Sequence, residues 1–124
     1  MNFLEGLNEA QAQAVQAKDG PVLIVAGAGT GKTTVITRRI AWLLEEKNIP
    51  GSNILSLTFT DKAAGEMEQR VSELIGSGYY DLEISTFHSF CEKIVSRFGL
   101  EIGVPTDALL LDDTAQWLLL REHL

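Results

Sequence analysis

The stretch that decides the fold class of this chain is Ala26-Gly27-Ala28-Gly29-Thr30-Gly31-Lys32-Thr33. It follows the apolar run Val22–Val25, which predicts a buried strand, and it leads into a pattern typical of an amphipathic helix. Small residues let successive backbone N–H groups curve around an anion, and a helix that begins near Lys32 points its positive end at the same place. The stretch therefore predicts a phosphate-binding loop for a nucleoside triphosphate.

Two side chains of this loop carry the predicted chemistry. Lys32 is placed to reach the β- and γ-phosphates, and the Thr33 hydroxyl is placed to bind Mg²⁺, so the predicted ligands are a nucleoside triphosphate and Mg²⁺. The usual pattern begins with glycine where Ala26 stands, a variant that a methyl group pointing away from the phosphates would accommodate. A glycine-rich turn without function is the alternative.

Composition limits the remaining possibilities. The chain has 124 residues, 45% of them hydrophobic and 22% charged, which predicts one soluble globular domain. No apolar run approaches the ~20 residues that span a membrane, so we expect a cytoplasmic protein with no membrane partner. Cys91 is the only cysteine, which leaves no internal disulfide partner and predicts a free, buried thiol. A net charge of −7 argues against broad nucleic-acid binding, so any contact with a strand must be local.

Strand and helix patterns alternate along the chain. The predicted elements are a helix over 8–18, a strand over 22–25, a helix over 32–46, a strand over 54–59, a helix over 63–75, a strand over 82–86 and a helix over 87–98, with Gly76-Ser77-Gly78 and Gly99 as helix ends. Three strand–helix units in series predict a parallel sheet with helices on both faces. The strand ends at Ala26, Phe59 and Thr86 should then open on the same edge of the sheet.

Four segments together resemble the UvrD/Rep/PcrA-type superfamily 1 DNA helicases in their order and spacing: Leu7–Val15, Ala26–Thr33, Leu57–Met67 and Ser85–Ser89. The resemblance covers nearly the whole chain. It implies an α/β P-loop NTPase fold of the RecA-like type, a three-layer sandwich with a parallel sheet that is incomplete in this chain. It also implies movement along single-stranded DNA in the 3′-to-5′ direction, driven by ATP hydrolysis.

The resemblance implies a set of nucleotide-binding residues. Gln11 matches a glutamine that reads the adenine edge, and the other matched positions are Ala26, Gly27, Ala28, Gly29, Thr30, Gly31, Lys32, Thr33 and Thr34. Many members of the family carry arginine where Thr34 stands, so nucleotide affinity in this chain would depend more on Lys32. Asn8 and Gln11 also fit a capping box at the start of a helix, which is the structural alternative for Gln11.

The DNA-contacting positions implied by the resemblance are Phe59, Thr60, Asp61, Lys62, Thr86 and His88. Phe59 would stack on bases, which is worth ~1–3 kcal/mol per base. The family usually has asparagine in place of Asp61, and a carboxylate there would repel a DNA phosphate. The alternatives are a core position for Phe59, a helix cap for Asp61 and a solvated or capping role for His88.

Leu109-Leu110-Leu111-Asp112-Asp113 admits two interpretations. An apolar strand ending in two acids is typical of a Mg²⁺ site, whereas in UvrD-like helicases a segment at this distance opens an inserted helical subdomain. The resemblance favours the second, with residues 1–108 forming the N-terminal part of the motor domain and 109–124 the start of the subdomain.

On this interpretation the magnesium-binding acids, the second motor domain and the arginine finger all lie beyond this chain. The expected partners are single-stranded DNA and the remaining helicase domains, and the chain alone should bind ATP with little or no turnover. The alternatives are a small P-loop phosphotransferase or nucleotidase, and a non-catalytic nucleotide-binding interaction module.

Overall fold

The computed structural model describes residues 2–76, 81–105 and 107–123, and the chain divides into two compact units, Met1–Phe87 and His88–Leu124. In its described residues the first unit has a short parallel sheet, three α-helices and one 3-10 turn, Gly51–Asn53. Its elements are α1 (Glu9–Val15), α2 (Lys32–Glu45), β1 (Leu55–Thr58), α3 (Asp61–Ile75) and β2 (Glu83–Thr86). Helix α4 (Phe87–Phe98) starts at the end of this unit and continues into the second, which also holds α5 (Asp113–His123).

Strands β1 and β2 are parallel and are connected through α3, which forms one strand–helix–strand unit. Leu55 lies opposite Glu83 and Thr58 lies opposite Thr86, so the two strands end side by side. Helix α3 packs against both strands and against α2. The predicted strands over 54–59 and 82–86 are confirmed, as is their parallel arrangement with a common carboxyl end.

The core of the first unit lies between α2, α3 and the sheet. Its buried residues are Ile40, Leu44, Met67 and Val71, and partly buried apolar side chains complete it: Ile54, Ile75, Leu82 and Ile84. Helices α2 and α3 each turn one apolar face inward, as their sequence periodicity predicts. This packing holds the N-terminal ends of both helices in place beside the loops that precede them.

The N-terminal ends of α1 and α3 are set by side-chain caps. The Asn8 carboxamide oxygen accepts a hydrogen bond from the Gln11 backbone N–H, and the Thr60 hydroxyl accepts one from the Ala63 N–H. Asp61 lies in the first turn of α3, so its prediction as the helix cap is wrong; Thr60 takes that place because its extended backbone directs the hydroxyl at the free N–H groups. Helix α1 ends at Val15, before the predicted Lys18.

The apolar run Val22–Val25 is not the buried strand that its composition predicts. Leu23 and Val25 are 87% and 88% exposed, and the run has no strand partner among the residues the structure describes. A strand needs a neighbour to bond its backbone groups, and in the part of the chain that the structure describes β1 and β2 pair only with each other. The described fold is accordingly mixed α/β with a two-stranded parallel sheet, not the predicted three strands covered on both faces.

Most large apolar side chains in the described part of the second unit are exposed. Helix α4 has no buried residue, and Cys91 is a free, exposed thiol, so its predicted burial is wrong. The predicted apolar stripe of α4 lacks a covering element in the described part of this unit. Helix α4 ends at Phe98 with Gly99 next to it, as predicted, but Gly99 begins a 3-10 turn, Gly99–Ile102, and the left-handed residue is Gly103, with φ of 81°.

Helix α3 ends at Gly76, which has φ of 74°. Ser77 and Gly78, predicted to close the helix together with Gly76, lie outside the described residues. In the part of the chain that the structure describes, no helix combines the length and apolar character needed to cross a membrane.

Candidate nucleotide-binding site

The loop over 26–31 enters α2 through two glycines in the left-handed region of backbone space. Gly29 has φ of 74° and Gly31 has φ of 84°, conformations that side chains with a Cβ rarely adopt. The Thr30 hydroxyl donates to the Gly27 carbonyl at 2.8 Å and closes the loop on itself. The spacing of glycines in the sequence therefore matches the backbone that the loop adopts.

Lys32 is the first residue of α2, and its side chain folds back over the loop. Its Nζ donates to the carbonyls of Ala26 at 3.2 Å and Gly27 at 2.5 Å. An ammonium group carries three N–H donors, so one remains beyond these two bonds. Lys32 thus holds a positive charge over the mouth of the loop.

The N-terminal end of α2 supplies further donors. The first amide that bonds within this end of the helix is that of Val35, which donates to the Gly31 carbonyl at 3.0 Å. The N–H groups of Lys32, Thr33 and Thr34 lie in the first turn, where helix geometry provides no carbonyl for them and where the dipole is positive. Ala28 is exposed, whereas Thr33 and Thr34 are partly buried. The arrangement suits an anion of phosphate size.

Gln11 joins α1 to this loop. Its Oε1 accepts from the Asn8 backbone N–H at 3.0 Å, which completes a capping box, and its Nε2 donates to the Thr30 carbonyl at 3.1 Å. The capping alternative is therefore confirmed as a structural feature, while the adenine-reading role stays a prediction. The contact with Thr30 links residues 19 positions apart and was missed by the sequence reasoning.

Two arginines of α2 also anchor the N-terminal segment. Arg39 Nη1 donates to the carbonyls of Ala14, Val15 and Ala17 at 3.2, 2.9 and 3.1 Å, and Arg38 Nη1 donates to the Phe3 carbonyl at 3.0 Å. Arg39 thereby caps the C-terminal end of α1, where a cation is favourable. A sequence offers no local signal for such a contact, since the partners lie more than twenty residues away.

The ends of β1 and β2 bring a second group of predicted residues together. Thr58 and Thr86 are paired and buried, and Phe59 follows β1 with 90% of its surface exposed. The alternative of a core position for Phe59 is therefore wrong. Asp61 and Lys62 are exposed in the first turn of α3.

His88 lies in the first turn of α4, where it is exposed, and it belongs to the second unit. Thr86 belongs to the first unit, as the last residue of β2. The DNA-contacting roles of these two residues stay predictions.

Asp112, the residue before α5, has a structural role. The Asp112 Oδ1 accepts from the Ala115 N–H at 2.7 Å and the Asp112 carbonyl accepts from the Gln116 N–H at 2.9 Å, which starts helix α5. Gln116 Nε2 donates to the Leu111 carbonyl at 2.9 Å and reinforces that start. Over residues 2–76, 81–105 and 107–123, no three His, Cys, Asp or Glu side chains are grouped so as to hold a metal ion. Residues 113–123 form helix α5, and the domain boundary at 108 stays a prediction.

Comparison with known proteins gives concordant matches. A sequence model described as the UvrD/REP helicase N-terminal domain matches residues 7–124. Relatives include proteins named ATP-dependent DNA helicase PcrA from Bacillus subtilis (strain 168), 49% identical over 114 residues, from Staphylococcus aureus (strain Mu50), 46% identical over 114 residues, and from Staphylococcus epidermidis, 47% identical over 117 residues.

The aligned parts cover 92–94% of this chain and only 15–16% of each relative. The chain therefore spans about a sixth of the length of the curated relatives it matches. The family match, in contrast, takes in almost every residue, including the loop, the Asn8–Gln11 box and the ends of both strands. The chain belongs to the UvrD/REP helicase N-terminal domain family.

Proposed function

We propose that this chain is the ATP-binding N-terminal part of an ATP-dependent DNA helicase that moves 3′ to 5′ on single-stranded DNA. The observation that carries the proposal is the loop over 26–31, closed by its own hydrogen bonds, with Lys32 over its mouth and the first turn of α2 behind it. The relatives named ATP-dependent DNA helicases support the same conclusion.

The phosphates would be bound by the donors that the loop presents. The third N–H of the Lys32 ammonium and the first backbone N–H groups of α2 are donors of the kind that triphosphates accept. The proposed Mg²⁺ would be held by the phosphates, by water and by the Thr33 hydroxyl, because this ion keeps several waters and takes few protein ligands. When bound there, Mg²⁺ would neutralise phosphate charge.

Adenine recognition by Gln11 is compatible with its capping role. A carboxamide offers two acceptor sites on oxygen and two N–H donors on nitrogen. The bonds to Asn8 and Thr30 use one of each, which leaves one acceptor site and one donor. An adenine edge requires one of each, so the side chain has the capacity for both tasks at once.

The proposed DNA contact lies at the ends of β1 and β2. An exposed aromatic ring at Phe59 is suited to stacking on a base, and Lys62 supplies a positive charge three residues later. The Asp61 carboxylate lies between them and would weaken the hold on a phosphate. The family resemblance adds Thr86 and His88 to the proposed DNA-contacting residues. Single-stranded DNA is the partner that this surface would accept.

The fold that we propose for the complete domain is the RecA-like P-loop sandwich, in which Val22–Val25 would join the sheet. Adjacent exposed apolar side chains, as in this run, are typical of surfaces that another part of a protein covers. Later strands of that domain would supply the cover, and the rest of the helicase would supply the magnesium-binding acids and the arginine finger. Without them this chain should bind ATP and hydrolyse it at little more than the background rate.

Titration calorimetry tests the proposal directly. Mg²⁺-ATP is titrated into the 124-residue chain, into its Lys32→Ala variant and, in parallel, Mg²⁺-GTP into the parent chain. We expect ATP binding that is weaker for GTP and lost in Lys32→Ala. Binding of ATP that is unchanged in a folded Lys32→Ala variant would contradict the proposed site.

A further inference from the structure

The Gln11 side chain contacts the backbone of the phosphate loop. Its Nε2 donates to the Thr30 carbonyl at 3.1 Å. Thr30 is held a second time by its own hydroxyl, which donates to Gly27. The peptide that follows Thr30 leads to Gly31, the N-cap of α2. One amide of α1 is therefore bonded to the point where the loop becomes the helix.

Steric contact accompanies this hydrogen bond. A Cβ placed on Gly31 would lie 2.9 Å from Gln11 Nε2, which is closer than real Cβ contacts, and Gly31 has φ of 84°. Gln11 therefore fills the space beside Gly31. The conformation of Thr30 and Gly31 depends on a side chain 19 and 20 positions earlier, as well as on the loop's own glycines.

We propose that Gln11 is a positioning residue for the phosphate loop, so that it strengthens binding of the triphosphate group itself, independently of any base. The inference rests on the proposed function of the loop and adds to it a ligand class, polyphosphates without a nucleoside. The physical reason is preorganisation: a loop already held in its binding conformation loses less entropy when the anion binds. A residue that only reads adenine would have no effect on such a ligand.

The structure offers a matched pair of variants. Gln11→Ala removes the bond to Thr30 and the bond to the Asn8 N–H, but keeps the bond from the residue 11 N–H to the Asn8 side chain. Asn8→Ala removes that last bond and weakens the same helix end, while the Gln11 side chain keeps its contact with Thr30. The two variants both loosen the start of α1, and only one of them releases the loop.

The experiment measures binding of Mg²⁺-tripolyphosphate, Mg²⁺-ATP and Mg²⁺-GTP by the 124-residue chain and both variants, with melting temperature and circular dichroism as folding controls. Loss of one neutral hydrogen bond should raise the Kd for tripolyphosphate in Gln11→Ala by about three- to tenfold. Asn8→Ala should lower the melting temperature about as much as Gln11→Ala does. It should leave the Kd for tripolyphosphate within about twofold of the parent value.

Three results would overturn the inference. Gln11→Ala could bind tripolyphosphate like the parent chain and lose only the preference for ATP over GTP, which would make Gln11 a base reader alone and leave the proposed function standing. Equal losses in Gln11→Ala and Asn8→Ala would reduce the effect to helix stability. Absence of binding of all three ligands by the folded parent chain would overturn the proposed function itself, and the inference with it.

Discussion

We expect Arg39 to stabilise the packing of α1 on α2, so Arg39→Met should lower the free energy of unfolding. The guanidinium donates to three carbonyls at the C-terminal end of α1 at distances from 2.9 to 3.2 Å. Methionine keeps most of the apolar stem and removes every donor, so the change isolates the polar contacts. Carbonyls at a helix end need partners, and Arg39 provides one for each of these three, although the Ala14 carbonyl also accepts from backbone N–H groups.

The magnitude follows from the kind of bond. Hydrogen bonds to a charged donor are worth about 1.5–3 kcal/mol in net stability when one partner is removed. Three carbonyls share one Nη1 atom, which has two hydrogens, and the helix end can take up some water in the variant. We therefore expect a loss of about 2 kcal/mol in the free energy of unfolding. For a chain of this size that corresponds to a fall of roughly 5–10 °C in melting temperature.

Urea denaturation followed by circular dichroism measures this loss, and Arg70→Met is the matched control. Arg70 makes an ion pair with Glu66 at 3.9 Å on the surface of α3, with the two side chains 47% and 51% exposed. Such a pair contributes about 0.5 kcal/mol or less. If Arg39→Met and Arg70→Met lower stability equally, the assignment of Arg39 as the anchor of α1 is refuted.

Further changes in the first unit have effects of predictable sign. Gly31→Ala should lower the free energy of unfolding by about 1–2 kcal/mol, because Gly31 has a positive φ and lies close to Gln11. Gly65→Ala, within α3 and with open space around it, should raise the free energy of unfolding by about 0.5–1 kcal/mol. Urea denaturation of both variants tests the contrast. Leu44→Ala removes a core side chain that is 1% exposed and should cost about 2–5 kcal/mol, measured in the same way; a loss below 1 kcal/mol would contradict the assigned core. Thr60→Ala removes the N-cap of α3 and should cost about 1 kcal/mol, with Thr60→Ser retaining most of the stability.

Local patterns were sufficient to predict most elements of the first unit. Apolar residues repeat at clearly different intervals in the strand Leu55–Thr58 and in the helix Asp61–Ile75, and flanking turn residues set the lengths of both elements. The Asn8–Gln11 box was also open to prediction, because its partners are three positions apart. The physical causes of these features lie in residues that are close in sequence.

Features that depend on distant partners were not predictable in the same way. Val22–Val25 has the composition of a buried strand, but burial requires a neighbour, and the described part of the chain supplies none. Cys91 lies on an apolar helical stripe and is nevertheless exposed for the same reason. The contacts of Gln11 with Thr30 and of Arg39 with the end of α1 cross 19 or more positions and involve backbone carbonyls, which every residue has.

The central claim is that the loop over 26–31 and the start of α2 bind the nucleotide. Nuclear magnetic resonance of the ¹⁵N-labelled chain tests it residue by residue, as Mg²⁺-ATP is added to the folded protein. The account predicts the largest shifts in the backbone amides of Gly27–Thr34 and in the side-chain amide of Gln11. Shifts centred on Asp112 and Asp113, with the loop unchanged, would contradict it.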